Sequence, residues 1–367
     1  MFYSLFGARY LFGLLALFSL GVCSVNASTQ WRMWQQFKDD YISEDGRVID
    51  SASPNRITTS EGQSYALFFA LVADDHFMFD KLLHWTEEHL AEGDLGQHLP
   101  AWKWGLNQKK EGVVLDSNSA SDSDLWIAYD LLEAGRLWKR GDYTSLGTQL
   151  LERITQEEVV NVAGLGPMLL PGKYGFNFPD SWRLNPSYLP PPILPKLAAS
   201  NSKWKVIERN MERLLLETSP KGFAPDWVIW KKGRGWLSDT ENPNLGSYNA
   251  IRVYLWIGMM ADHAKYRTAL TQHFLPILSL TQKSGVPPEQ INIVTGKIQG
   301  TGSLGFSAAL LPLLLNNPNA LLVQRQRVDA LPLAKDSYYA SVLRLFGQGW
   351  DQHYYRFNVA GELIRLK

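Results

Sequence analysis

The stretch Ala120-Ser121-Asp122-Ser123-Asp124-Leu125-Trp126-Ile127-Ala128 decides how the rest of the chain is read. Two carboxylates open it, and a strongly apolar segment continues to Trp138 with the spacing of a helix. The bland reading of Asp122 and Asp124 is helix capping and favourable interaction with the helix dipole, worth about 0.3–1 kcal/mol per contact. The sharper reading places them, with Ser117, Asn118, Ser119 and Ser121, along a polar cleft. Local sequence leaves both open.

Working outward, the same periodicity recurs in about twelve segments: 30–42, 61–73, 76–92, 122–138, 143–158, 187–199, 202–217, 247–262, 264–281, 304–315, 319–330 and 336–346. The fold class expected is all-α. The connections 93–121, 160–186, 219–246 and 283–303 are long and rich in Gly, Pro and Trp, with room for short β pieces such as 224–230. Connections of more than about 12–15 residues are usually functional, so these are expected to form a substrate face. Long loops after every second or third helix favour a toroid of helix pairs, and no 20–50-residue repeat points to a solenoid.

The N-terminus carries one charge, Arg9, before an apolar run from Tyr10 to Val22. That run is shorter than the ~20 residues of a membrane helix. Val25 and Ala27 fit a signal-peptide cleavage site before Ser28, so 1–27 is expected to be removed and 28–367 to form one domain outside the cytoplasm, in the periplasm or secreted. The only cysteine, Cys23, lies in that leader, which excludes an internal disulfide and a Cys-built zinc site in the rest. With 36 basic and 36 acidic residues the chain has no bulk field for nucleic acid or an anionic membrane. No HExxH, Walker loop or GxSxG motif occurs, and His84 and His89 are wrongly spaced for a facing pair. No metal or cofactor is expected.

Thr58-Thr59-Ser60-Glu61 opens another helix, again with two readings. Thr58 and Glu61 have capping-box spacing; alternatively Glu61 is a general acid beside Gly62, which would leave room for substrate. The tryptophans tip the balance. Trp102, Trp104, Trp182, Trp227, Trp230 and Trp236 all fall in expected loops, where flat rings suit the apolar faces of sugars. Core tryptophans are expected at Trp126, Trp138 and Trp256. Carboxylates with aromatic loops, and no cofactor, point to glycoside hydrolysis.

These residues resemble glycoside hydrolase family 8, most closely its periplasmic members that accompany bacterial cellulose synthesis. The resembling segments are 120–138, Ile57–Tyr65, Asn185–Pro190, Gly246–Tyr254, Gly305–Ala308 and Phe346–Asp351, spanning nearly the whole chain. The resemblance implies an (α/α)6 barrel and an inverting endo-β-1,4-glucanase acting on cellulose, with a functional tie to a cellulose synthase complex. Glu61 would be the proton donor, and Asp122 would hold and distort the sugar at the cut. Tyr65, Trp102, Trp104, Trp182, Tyr188, Tyr248 and Arg252 would bind substrate. The chain departs from the pattern at the base, where Asn249 stands in place of Asp, and at Ser123 and Asp130, where smaller residues are usual. An amide cannot accept the proton of an attacking water at neutral pH. Asp226, Asp239 and Glu241, carboxylates in nearby loops, are the other candidates for the base, and nothing in the sequence selects one of them. The alternative is a glucan-binding accessory protein whose hydrolysis is weak or lost.

Overall fold

The computed structural model describes residue 1 and residues 31–367, except 333, 334 and 336. The expected signal peptide lies outside the described residues. Among the described residues no helix is long and apolar enough to cross a membrane.

Thirteen α-helices are described: α1 (Arg32–Tyr41), α2 (Ser60–Val72), α3 (His76–Leu90), α4 (Ser121–Trp138), α5 (Gly141–Glu157), α6 (Leu194–Ala198), α7 (Ser202–Glu217), α8 (Ala250–Gly258), α9 (Arg267–His273), α10 (Leu275–Ser284), α11 (Leu304–Leu310), α12 (Pro318–Asp329) and α13 (Tyr338–Asp351). They alternate between two layers. In α2, α8 and α11 nearly every residue is buried, as befits helices that are apolar all round. With α4, the 186–198 segment and α13 they form an inner ring. The helices α3, α5, α7, α9–α10, α12 and α1 bury one face against that ring. The result is an (α/α)6 barrel, as the resemblance implied.

Inside the ring the aromatic side chains interlock. Tyr65 and Phe68 of α2 meet Trp126 of α4 and Phe346 of α13, and Trp256 of α8 packs on Phe346 and Trp126. Trp126 and Trp256 are thus core residues as expected. Trp138 is half-buried, its indole N–H donating to Asp74.

Several boundaries differ for physical reasons. The expected helix 264–281 divides at Phe274, because Pro276 cannot donate a backbone hydrogen bond. Three consecutive prolines, 190–192, reduce 187–199 to a 3-10 turn, Pro186–Tyr188, and the short α6. Conversely α13 runs on through Gly347 and Gly349. A Cβ at Gly347 would lie 1.9 Å from the Ala308 carbonyl, and one at Gly349 2.7 Å from the Trp31 ring, so these glycines permit close packing on α11 and on Trp31 rather than stopping the helix.

Apart from the eight-residue link 330–337, outer-to-inner connections are long and inner-to-outer ones short, so one end of the barrel carries the elaborate loops. Four small antiparallel sheets stand there. The largest has four strands, Asn177–Phe178, Ser181–Leu184, Val228–Lys231 and Gly235–Ser238, the third matching the β piece expected near 224–230. A further hairpin, Tyr355–Phe357 with Leu363–Arg365, was not anticipated. The two smaller departures from the family signature have different surroundings. Ser123 knits α4 to α2, its hydroxyl 2.6 Å from that of Ser60. Asp130 is fully buried, and neither carboxyl oxygen has a partner among the described residues. Burial pushes its carboxyl well above the usual range, and the charge of Glu133 adds to this.

Candidate active site

The inner helices α2, α4 and α8 all begin at the loop-bearing end, and their first residues meet around Arg252. Its Nη1 donates to Asp122 at 2.8 Å and to the Tyr65 hydroxyl at 3.0 Å, and it also contacts the Glu61 carboxylate. Its Nη2 donates to Asn249 Oδ1 at 2.8 Å. Arg252, expected to touch substrate, therefore lies 3% exposed at the hub, holding the side chains of three helices.

Glu61 is free to reach Arg252 because it is not a cap. Thr59 caps α2, accepting from the Gly62 amide at 3.0 Å, while Thr58 accepts from Arg47 and donates to the Val48 carbonyl. The capping-box reading of Thr58 and Glu61 is therefore replaced. Nor does Gly62 make room for substrate: a Cβ there would sit 2.8 Å from the Tyr338 hydroxyl, so it makes room for that ring. The Glu61 side chain keeps 23% exposure, whereas Asp122 keeps 3%. Burial pushes the Glu61 carboxyl up to about 7, against the pull of Arg252 and with the Asp122 charge adding to the rise. Burial likewise raises Asp122, opposed by Arg252 and the Ser123 amide. A carboxyl protonated near neutrality and open to the cleft has the properties of a general acid.

Asn249 occupies a more elaborate setting. It stands at the N-cap position of α8 yet makes no cap. The carboxylate of Asp226 caps that helix instead, its Oδ1 accepting from the amides of Ser247, Asn249 and Ala250 at 2.9, 3.0 and 2.7 Å. The Asn249 side chain is thereby released toward the site, where Oδ1 takes Arg252 Nη2 and, at 3.0 Å, Asn185 Nδ2. Both donors would suit a carboxylate oxygen equally well. Asp239 and Glu241 are engaged elsewhere, each 2.8 Å from the Arg183 guanidinium.

The aromatic side chains divide into two groups. Tyr188 lies over the Arg252 guanidinium, its ring centre 5.6 Å away, and is followed by Trp227 at 6.0 Å and Phe176 at 5.9 Å, the last pair parallel within 2°. All three are half-buried, forming a rail from the charged centre toward the rim. Trp102 stands at the lip, its carbonyl accepting from the Ser60 amide. Tyr248 is exposed, with its hydroxyl on Glu289, and Tyr339 donates to the Tyr248 carbonyl. The second group packs into the scaffold. Trp104 lies against Trp85, His89 and Arg47. Trp182 is 7% exposed on the central sheet, and Trp230 and Trp236 pack edge to face. Sequence reasoning did not assign Asn185, Phe176, Tyr338 or Tyr339 to the site. Their signals were weak: Asn185 beside Pro186 and Phe176 beside Gly175 look like any loop residue, and Tyr338 and Tyr339 look like the ordinary start of a helix.

Residues 8–353 match the family described as glycosyl hydrolases family 8. The chain is 52% identical over 353 residues to an endoglucanase of Escherichia coli K12, covering 96% of this chain and 95% of that one. It is 55% identical over 346 residues to an endoglucanase of Salmonella typhi, covering 94% and 93%. Among solved structures, the endo-1,4-D-glucanase of Vibrio fischeri ES114 superposes with a TM-score of 0.88 at 48% identity, covering 91% of this chain and 99% of that one. The chain belongs to glycoside hydrolase family 8.

Proposed function

We propose that this protein is an endo-β-1,4-glucanase that cleaves internal bonds of cellulose with inversion, slowly, in the periplasm and in the service of cellulose export. The observation that carries this reading is the convergence of Glu61 and Asp122 on Arg252 at the loop-bearing end of the barrel. Glu61 protonates the departing glycosidic oxygen. Asp122, fixed by Arg252, accepts from the hydroxyls of the sugar being cut and favours its distorted ring. Tyr188, Trp227 and Phe176 stack along the glucan. Inversion needs a water on the opposite face of the sugar. The Asn249 amide can orient that water but cannot take its proton, and a general base typically contributes about 10²–10⁴-fold. The endoglucanase names of the relatives support β-1,4-glucan as substrate. The tie to a synthase and the compartment rest on the leader and the family resemblance.

Asn249 also favours a second reading, a glucan-binding accessory protein that has given up turnover. Hydrolysis of carboxymethylcellulose by the purified protein and by Glu61→Gln separates the two. Slow release of reducing ends, lost in Glu61→Gln, supports the enzyme. Tight cello-oligosaccharide binding with no release in either protein supports the accessory role, and neither binding nor release overturns both.

A further inference from the structure

Behind the catalytic face α4 carries another carboxyl, Asp124, which the reaction does not use. It is fully buried and meets Glu158, also fully buried, at hydrogen-bonding range. Both oxygens of Asp124 and Oε2 of Glu158 lack an N–H or hydroxyl donor among the described residues. Glu158 Oε1 accepts from the Ser119 hydroxyl at 2.6 Å. Among the described residues no cation neutralises the pair. Lys173 and Arg153 are both on Glu157, and Arg252 is committed on the far side of Asp122. Two buried carboxylates cannot remain ionised side by side without a cation, so a proton must lie between them.

Ser119 connects this pair to the cleft. Its oxygen also accepts from the Lys173 amide at 3.0 Å, the Ser121 amide donates to the Pro171 carbonyl, and Asn118 exchanges two hydrogen bonds with the Tyr174 backbone. A Cβ on Gly172 would sit 2.4 Å from the Ser119 carbonyl, so the two segments touch backbone to backbone. Residues 170–178, which carry the Phe176 platform and enter the four-stranded sheet at Asn177–Phe178, therefore hang in their first half on the segment that Glu158 anchors.

We propose that the Asp124–Glu158 pair, sharing one proton, latches residues 170–178 to the barrel, and that loss of this proton in alkaline solution frees the loop and its sugar platform. The platform half of this statement rests on the glucanase reading; the latch itself does not. Burial raises both carboxyls: Glu158 goes up to about 8, against the hydrogen bonds from Ser119 and Asp124, and Asp124 goes well above its ordinary range with the Glu158 charge adding to the rise, so the shared proton sits on Asp124 and is the last to leave. The charged groups facing the pair are Asp122 on α4, Glu157 on α5 and, beyond them, Lys173 on the loop and Arg252 on α8.

Hydrogen–deuterium exchange of the 170–178 peptide tests this without any ligand. After correction for intrinsic exchange, protection in the wild type should fall about tenfold per pH unit above the titration of the pair. In Glu158→Gln the amide donates to Asp124 at every pH, so protection should stay level. Identical pH profiles in the two proteins, or a level profile in the wild type, would overturn the latch. If Glu158→Gln does not fold, Asp124→Asn serves the same purpose. If neither folds, a wild-type loss confined to 117–121 and 170–178 supports the latch, and a global loss overturns it. Cellohexaose binding measured in parallel should weaken roughly three- to tenfold over the same range. Absence of binding at every pH counts against the glucanase reading and leaves the exchange result standing.

Discussion

The starts of α2 and α8 are built on one plan and end in different chemistry. Each helix is capped by a residue other than the one that serves the site, Thr59 for α2 and Asp226 for α8. Each thereby releases a side chain to the same guanidinium, Glu61 to Nη1 and Asn249 to Nη2 of Arg252. At α2 the released group is an acid that burial holds protonated near neutrality. At α8 it is an amide, held by two donors that would serve a carboxylate as well. If Glu61 donates the proton as proposed, that half of the site is complete, while position 249 keeps a cradle fit for a carboxylate and lacks its charge.

Removing the complete half should have the largest effect. Glu61→Gln keeps the contact with Arg252 but not the proton, and turnover on carboxymethylcellulose should fall by about 10²–10⁴-fold. An unchanged rate would remove Glu61 from the mechanism. The pH profile sharpens the same contrast. Only protonated Glu61 is competent, so wild-type turnover should fall as pH rises through about 7. With no titrating base at position 249, no matching acidic limb from that position is expected; Asn249→Asp should add one and give a bell. Steady-state rates across pH would show a bell already in the wild type if another carboxylate were the base.

Smaller effects separate the two caps. Asp226→Ala strands three amides at the start of α8 and should cost on the order of 1–3 kcal/mol in urea unfolding. It should also lower turnover, because Asn249 can then turn back to cap its own helix. Thr59→Ala removes a single cap bond and should cost about 0.5–2 kcal/mol. Equal losses from the two would mean that Asp226 has no special hold on the α8 start. Smallest is the aromatic rail: Trp227→Ala should raise KM for long cello-oligosaccharides roughly three- to tenfold with kcat unchanged. Trp104→Ala, which disturbs packing on α3 and on Arg47 but not the rail, should leave KM unchanged.

Much of the barrel was legible because the inner helices are long apolar runs with polar starts; α2 and α4 were read to within a residue or two. What escaped reading depended on distant partners. Gly347 looks like a helix stop until α11 is packed against it, and proline decided where α9 ended. The site was legible in the same measure. Glu61, Asp122 and Asn249 stand at helix starts that the chain announces. The device that frees Asn249 is Asp226, twenty-three residues earlier, and only the folded chain brings them together. Likewise the rail draws Phe176 and Tyr188 from one long connection and Trp227 from another, whereas Trp104 and Trp182, equally loop-like in sequence, turn into the scaffold.

The central claim is that position 249 lies in a cradle fit for a carboxylate. Cellohexaose cleavage by the wild type and by Asn249→Asp, measured at the same pH, tests it directly. If Arg252 and Asn185 form a carboxylate site that holds an amide, the substitution should raise kcat by about 10²–10⁴-fold with little change in KM. A wild type already as fast as Asn249→Asp would contradict this, and would mean that the base lies elsewhere.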